Sequence, residues 1–179
     1  MSYVTDGRLG VTLTTVDSSA RSDGSGGPQF TLGDTRKGND GQEYVYVQAA
    51  EAISSTTNEP YALSIDENYQ ASKLTKAAVL AGHAVAWAPQ VAIADNDYFW
   101  AIKRGSNFNI KVGVSCAADI TLWTTATAGV LDDTSGGATA NSQVPVYGVV
   151  IVTAASTSAS AGSTVREAIA TYPHVSVGV

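Results

Sequence analysis

The chain has 179 residues, room for one well-buried domain and cramped for two. Its formal net charge of −6, with ten scattered Lys and Arg, argues against nucleic acid as a partner, because backbone phosphates demand clustered cations. Only 15% of residues are charged, against roughly 25% in typical soluble domains, so the surface must be built from small uncharged polar residues that lose little side-chain entropy when covered.

In chain order, residues 9–16 (LGVTLTTV) are β-branched at most positions and predict a strand. Residues 17–29 (DSSARSDGSGGPQ) lack apolar periodicity and predict a flexible loop or arm, so residues 1–28 are set apart as an N-terminal arm from a β-rich domain over 29–179. Residues 30–33 predict a short strand and residues 35–42, with Asn39-Asp40-Gly41, a turn. Residues 43–49 (EYVYVQA) alternate, with Val45, Val47 and Ala49 on one face and Tyr44, Tyr46 and Gln48 on the other. Residues 61–65 predict a further strand. Leu74, Ala77, Ala78 and Ala81 recur at helical spacing before Gly82, predicting a short helix over 75–81 with a left-handed cap.

The clearest pattern follows. Phe108, Ile110, Val112, Val114 and Cys116 alternate with polar or small residues, and Tyr98, Trp100 and Ile102 form a second alternating set. Arg104-Gly105-Ser106 lies between them, so residues 97–104 and 107–116 are expected to form a hairpin. Residues 119–125 predict a strand. Residues 144–153 (VPVYGVVIVT) are apolar on both faces, as for an inner strand, with Pro145 at its start or on an edge. Residues 164–170 predict a closing strand in preference to a short helix. Many short strands, Gly- and Ser-rich turns and one short helix predict a mainly β single domain, a sandwich or barrel with a jelly roll among the options.

Few residues suggest chemistry. His83 and His174 lie in no ligand-spaced motif, and no G-x-S-x-G elbow occurs. Asp95-Asn96-Asp97 lacks the Gly and distal Glu of a calcium loop, and Asp132-Asp133 reads as an acidic loop. Gly24-Ser25-Gly26-Gly27 lacks the Lys-Ser/Thr of a phosphate cradle. Cys116, the single cysteine, falls on an apolar strand face and is expected to be a buried, inert thiol. No catalytic, cofactor or metal site is assigned, and no enzyme activity is expected. No apolar run approaches the ~20 residues of a membrane span, and the N-terminal stretch lacks a signal pattern, which predicts synthesis in a cytoplasm. Tyr98, Phe99 and Trp100, with Trp87 and Trp123, are either core or an exposed platform for a partner or a sugar. Phe99 points away from Tyr98 and Trp100, so one face of that strand must meet something other than water. Tyr98, Phe99, Trp100, Trp87, Tyr44 and Tyr46 are the candidate interface residues.

The runs GDTRKGNDGQEYVYVQA (33–49), VAWAPQVAIADNDYFWAIKRG (85–105), ATAGVLDD (126–133) and YGVVIVT (147–153) resemble the capsid decoration, or cement, proteins of tailed bacteriophages. The resemblance spans about residues 33–173 and rests on the order of several runs. It implies a β-rich subunit, commonly trimeric, that binds the major capsid protein on the outside of the virion shell, where capsomers meet, and strengthens it against packaged DNA. It implies no active-site residues and no cofactor. A carbohydrate-binding module or tail-adhesin domain is the alternative expectation.

Overall fold

The computed structural model describes residues 15–19, 26–53, 60–133, 143–155 and 163–175. The described residues are mainly β with one short helix, as the alternation and turn residues predict. In chain order the elements are β1 (Thr35–Lys37), β2 (Glu43–Ala49), β3 (Ala62–Ile65), β4 (Gln70–Lys73), α1 (Lys76–Leu80), β5 (Ala84–Trp87), β6 (Tyr98–Gly113), β7 (Leu122–Thr124), β8 (Leu131–Asp132), β9 (Pro145–Ile151) and β10 (Ser163–Val175).

Strands β2, β4, β3, β5 and β6 pair in that order, and β2 pairs back onto β6, closing a five-stranded barrel. Strand β1 lies outside it on β2. Small residues make so narrow a barrel fillable. Ala49, Ala71, Ala86, Ala88 and Ala101 share one buried cluster with Val45, Val47, Leu63, Ile65 and Phe99. The members on β2, β3, β5 and β6 obey the period of two and so point to one face. Ile53 and Ile93 bridge to each other and join the same cluster, plugging one end. The remaining strands, β10, β9, β7 and β8, extend from the second half of β6, and β8 returns to it in parallel through Val112 and Leu131. A second buried cluster fills the space between this layer and the barrel wall, from Tyr46, Trp87 and Trp100 to Phe108, Ile110, Leu122 and Ile151.

The expected hairpin over 97–116 is instead one continuous 16-residue strand. Its halves do not pair with each other because each has another partner. Tyr98–Arg104 pairs with β2, and Gly105–Gly113 pairs with β10. The Gly-Ser signal marks the pivot: Gly105 has φ +140° and Asn107 φ +59°, and β10 shifts register opposite them. Smaller corrections follow the same logic. Residues 30–33 form bends and a turn, and Thr35–Lys37 is a strand of the β1–β2 hairpin, so the Asn39-Asp40-Gly41 turn is shorter than expected. Strand β9 is not an inner strand covered on both faces, since Tyr147 and Val152 are exposed.

The helix follows its signals. Thr75 Oγ1 accepts from the Ala78 amide at 3.2 Å, and Gly82 takes φ +79° after Ala81. Most of the expected arm, including residues 9–14 of its expected strand, lies outside the described residues, but Asp17 does not. It bridges to Tyr98 with two backbone hydrogen bonds of 2.7 and 2.8 Å and is buried.

Candidate interaction face and barrel mouth

Two surface features stand out, and the fold accounts for both. The first is the outer face of β9 and β10. Along β9, Val146, Val149 and Ile151 are buried, and Gly148 at φ +76° accommodates the extra residue between the first two. The opposite face therefore carries Tyr147 and Val150, continued by Val152, and Val150 sits in register with Ile169 of β10. Tyr147, Val152 and Ile169 are 38–42% exposed, as is Ile120, which precedes β7. An antiparallel sheet facing water normally alternates apolar-in with polar-out. Here the outward residues of β9 are apolar too. A shallow depression of about 180 Å³ between Thr121, Tyr147, Val150 and Ile169 dents the face, and the His174 ring stacks on Tyr147 at 5.5 Å.

The second feature is the barrel end opposite the Ile53–Ile93 plug. Glu43 of β2, Ile65 of β3, Ala84 of β5 and Lys103 of β6 come together at this end. Each has the inward parity of its strand. A cavity of about 770 Å³ opens there, with Val45, Ile65, Val79 and Val85 in its lining and His83 and His174 also contributing. Tyr69 lines one side, its ring packed so closely on Gly33 that a Cβ there would displace it. Arg104 holds Glu43 with Nε and Nη2, each 2.6 Å from Oε2, and Lys103 Nζ lies 3.4 Å from Oε1. Partial burial of Glu43 raises its pKa, but the hydrogen bonds and charges of Arg104 and Lys103 outweigh that and hold the carboxyl below the usual glutamate value.

Of the six candidate interface residues, five are buried: Tyr44, Tyr46, Trp87, Phe99 and Trp100. Tyr98 is half-buried. The structure does bring them together, as core. Tyr46 and Trp100 meet at 5.0 Å and share Phe30 as an edge-on neighbour, and Trp87 meets Phe108 at 5.1 Å. Phe99 does meet something other than water, namely the barrel interior, while Trp100 faces the second cluster. Residues Phe99 to Ile102 of β6 are buried on both sides, so the strand meets protein on each face there. The tyrosine hydroxyls are satisfied: Tyr44 donates to Asp40 Oδ2 at 2.6 Å and Tyr46 to Asp17 Oδ2 at 2.5 Å. Sequence reasoning missed the β9–β10 face because apolar residues on both sides of a strand read as double burial. The barrel mouth is missed because its lining comes from seven separate elements and the loops between them.

Among the described residues, the group of acidic, Cys and His side chains close enough to share an ion is Cys116, Asp132 and Asp133. Their bonding is structural. Asp133 Oδ2 accepts from the Ala117 amide at 2.8 Å, and Asp132 Oδ1 from the Asp133 amide at 2.8 Å. Burial, helped by the neighbouring Asp133 and Asp132 charges, pushes the Cys116 thiol up to about 12, so it is neither a ready thiolate ligand nor a nucleophile. Asp95, Asn96 and Asp97 form a turn, with Asn96 at φ +66° and Asp97 accepting from the Ser19 and Ala94 amides. No helix among the described residues is long and apolar enough to cross a membrane. Comparison with protein-family models, with curated proteins and with solved structures returns no match.

Proposed function

We propose that this chain is a structural subunit of a tailed-bacteriophage head: a decoration protein that associates with copies of itself, as a trimer, and binds the major capsid protein on the outer surface of the shell. The observation that carries this reading is the apolar outer strip of Tyr147, Val150, Val152 and Ile169, a sheet face composed as if to be covered. Interfaces between permanent partners are the more apolar kind. The resemblance in sequence adds the class of partner, and its runs fall on the β1–β2 hairpin, on β5 through the first half of β6, on β8 and on β9.

The mechanism is mechanical and needs no bond to be made or broken. A subunit that binds the expanded shell and not its precursor stabilises the expanded state by mass action. Three linked copies engage neighbouring capsomers at once, so each contact can be modest while the whole is tight. The small polar residues of a weakly charged surface suit repeated coverage, because little side-chain entropy is lost. The carbohydrate-binding alternative draws no support from the tryptophans it would use, since Trp87 and Trp100 are buried and Trp123 is half-buried.

Sedimentation equilibrium tests the assembly step. The expected species has three times the 18.4 kDa chain mass, and Ile169→Asp returns it to the single-chain mass. A wild-type chain that stays monomeric across the concentration range contradicts this reading.

A further inference from the structure

The assembly reading leaves the barrel mouth unused, and its chemistry differs from that of the rest of the molecule. In a chain of net charge −6, the Lys, Arg, Asp and Glu residues lining this cavity are two cations, Lys103 and Arg104, against one carboxylate, Glu43, with His83 and His174 beside them. Glu43 is committed to Arg104 through two 2.6 Å contacts. Lys103 is held more loosely, 3.4 Å from the other carboxylate oxygen, and its side chain is 51% exposed. An ammonium has three donors, so this contact leaves donors for a ligand. The aliphatic part of the lining is Val45 and Ile65 from the barrel interior, with Val79 and Val85 from the second cluster beside it. The volume of about 770 Å³ falls within the ~300–1,000 Å³ of small-molecule sites, which favour the mouths of barrels. The far end of the barrel is plugged by Ile53 and Ile93, so a ligand enters from this side.

We propose that the barrel mouth binds a small amphipathic carboxylate, its apolar body on the valine and isoleucine lining and its head on Lys103. The net charge of the lining matches one negative charge. A doubly charged phosphate would face the Glu43 carboxylate with only one loosely held cation to offset it. A neutral sugar would find an aliphatic lining where it needs a lattice of polar partners. This inference is independent of the assembly reading, and either can fail alone.

The test titrates the full chain with 11-(dansylamino)undecanoate, a fluorescent apolar carboxylate, and with its methyl ester, which has the same body and no charge. The expected result is a saturable, blue-shifted emission at micromolar probe that decanoate displaces. The ester and the variant Lys103→Gln each bind roughly tenfold more weakly, the loss of one charge-assisted hydrogen bond. Ala84→Phe, which fills the mouth, abolishes binding, and Ile169→Asp on the β9–β10 face leaves it unchanged. Melting curves establish that each variant is folded, and if Lys103→Gln does not fold, the ester comparison and Ala84→Phe decide. Absence of saturable emission overturns the proposal. So does equal affinity for acid and ester, or binding that survives Ala84→Phe and disappears in Ile169→Asp.

Discussion

Asp17 accepts a 2.5 Å hydrogen bond from the hydroxyl of Tyr46, joining the N-terminal segment to the aromatic centre of the fold across 29 positions of sequence. Both residues are buried. Burial of the Tyr46 phenol, reinforced by its hydrogen bond to the Asp17 carboxylate, pushes it well above its ordinary value, so the hydroxyl remains a donor throughout the working pH range. Removing the acceptor strands that donor. Asp17→Ala is expected to cost about 1–3 kcal/mol, and Asp17→Asn, which keeps an acceptor oxygen, markedly less. Thermal melts check this: each kcal/mol corresponds to roughly 2–4 °C for a domain of this size. Equal losses for the two variants would show that the bond is not what matters there.

The pivot in β6 predicts a second sensitivity. Gly105 has φ +140°, and a Cβ there would lie 2.9 Å from the Cα of Gln42. Neither the angle nor the space suits an L side chain. Gly105→Ala is expected to destabilise by about 2 kcal/mol or more, measured by urea unfolding, whereas Gly41→Ala, with positive φ but no neighbour within 4 Å, should cost less.

Glu43 predicts an acid-sensitive contribution. Its folded pKa lies below its ordinary value of 4.5, so the unfolded chain binds more protons and stability rises with pH in this range. The contribution is fully present above the ordinary value and is lost as pH falls through the depressed one. Glu43→Gln should therefore flatten the fall of melting temperature between about pH 5 and pH 3. An unchanged slope would mean that Arg104 and Lys103 do not tune this carboxyl.

Cys116 is fully buried, with its thiol pushed up to about 12. Native protein at pH 8 is expected to react with a disulfide reagent only at the rate of unfolding, and denatured protein at once. Rapid labelling of the native chain would contradict the burial.

Much of the fold is written in local patterns. Alternation along residues 43–49 and 98–113 marks β2 and β6 because each side chain's face is fixed by its neighbour's. Helix α1 is legible from the spacing of Ala77, Ala78 and Ala81 and from Gly82, while Thr75, expected as its first residue, is its N-cap. Pairing is less local. The Arg104-Gly105-Ser106 signal marks a distortion, yet whether the chain reverses or continues is decided by β10, some 60 residues later. Strands β4 and β5 are four residues each, QASK and AVAW, too short for a clear alternation, and acquire strand geometry from the barrel around them. The six aromatic and tyrosine candidates were visible as a group. Their burial depends on layers that no single stretch encodes, as does the convergence of Glu43, Lys103 and Arg104 with His83 at the barrel mouth.

Binding to phage heads tests the proposed function most directly. Purified chain is mixed with mature, expanded heads stripped of their outer proteins and with unexpanded precursor shells, and the bound copies are counted after sedimentation. Wild-type chain is predicted to saturate the expanded heads at a fixed number of trimers per shell, to ignore the precursors, and to lose occupancy in Ile169→Asp. Failure to bind expanded heads, or equal binding of both shell forms, would contradict the account.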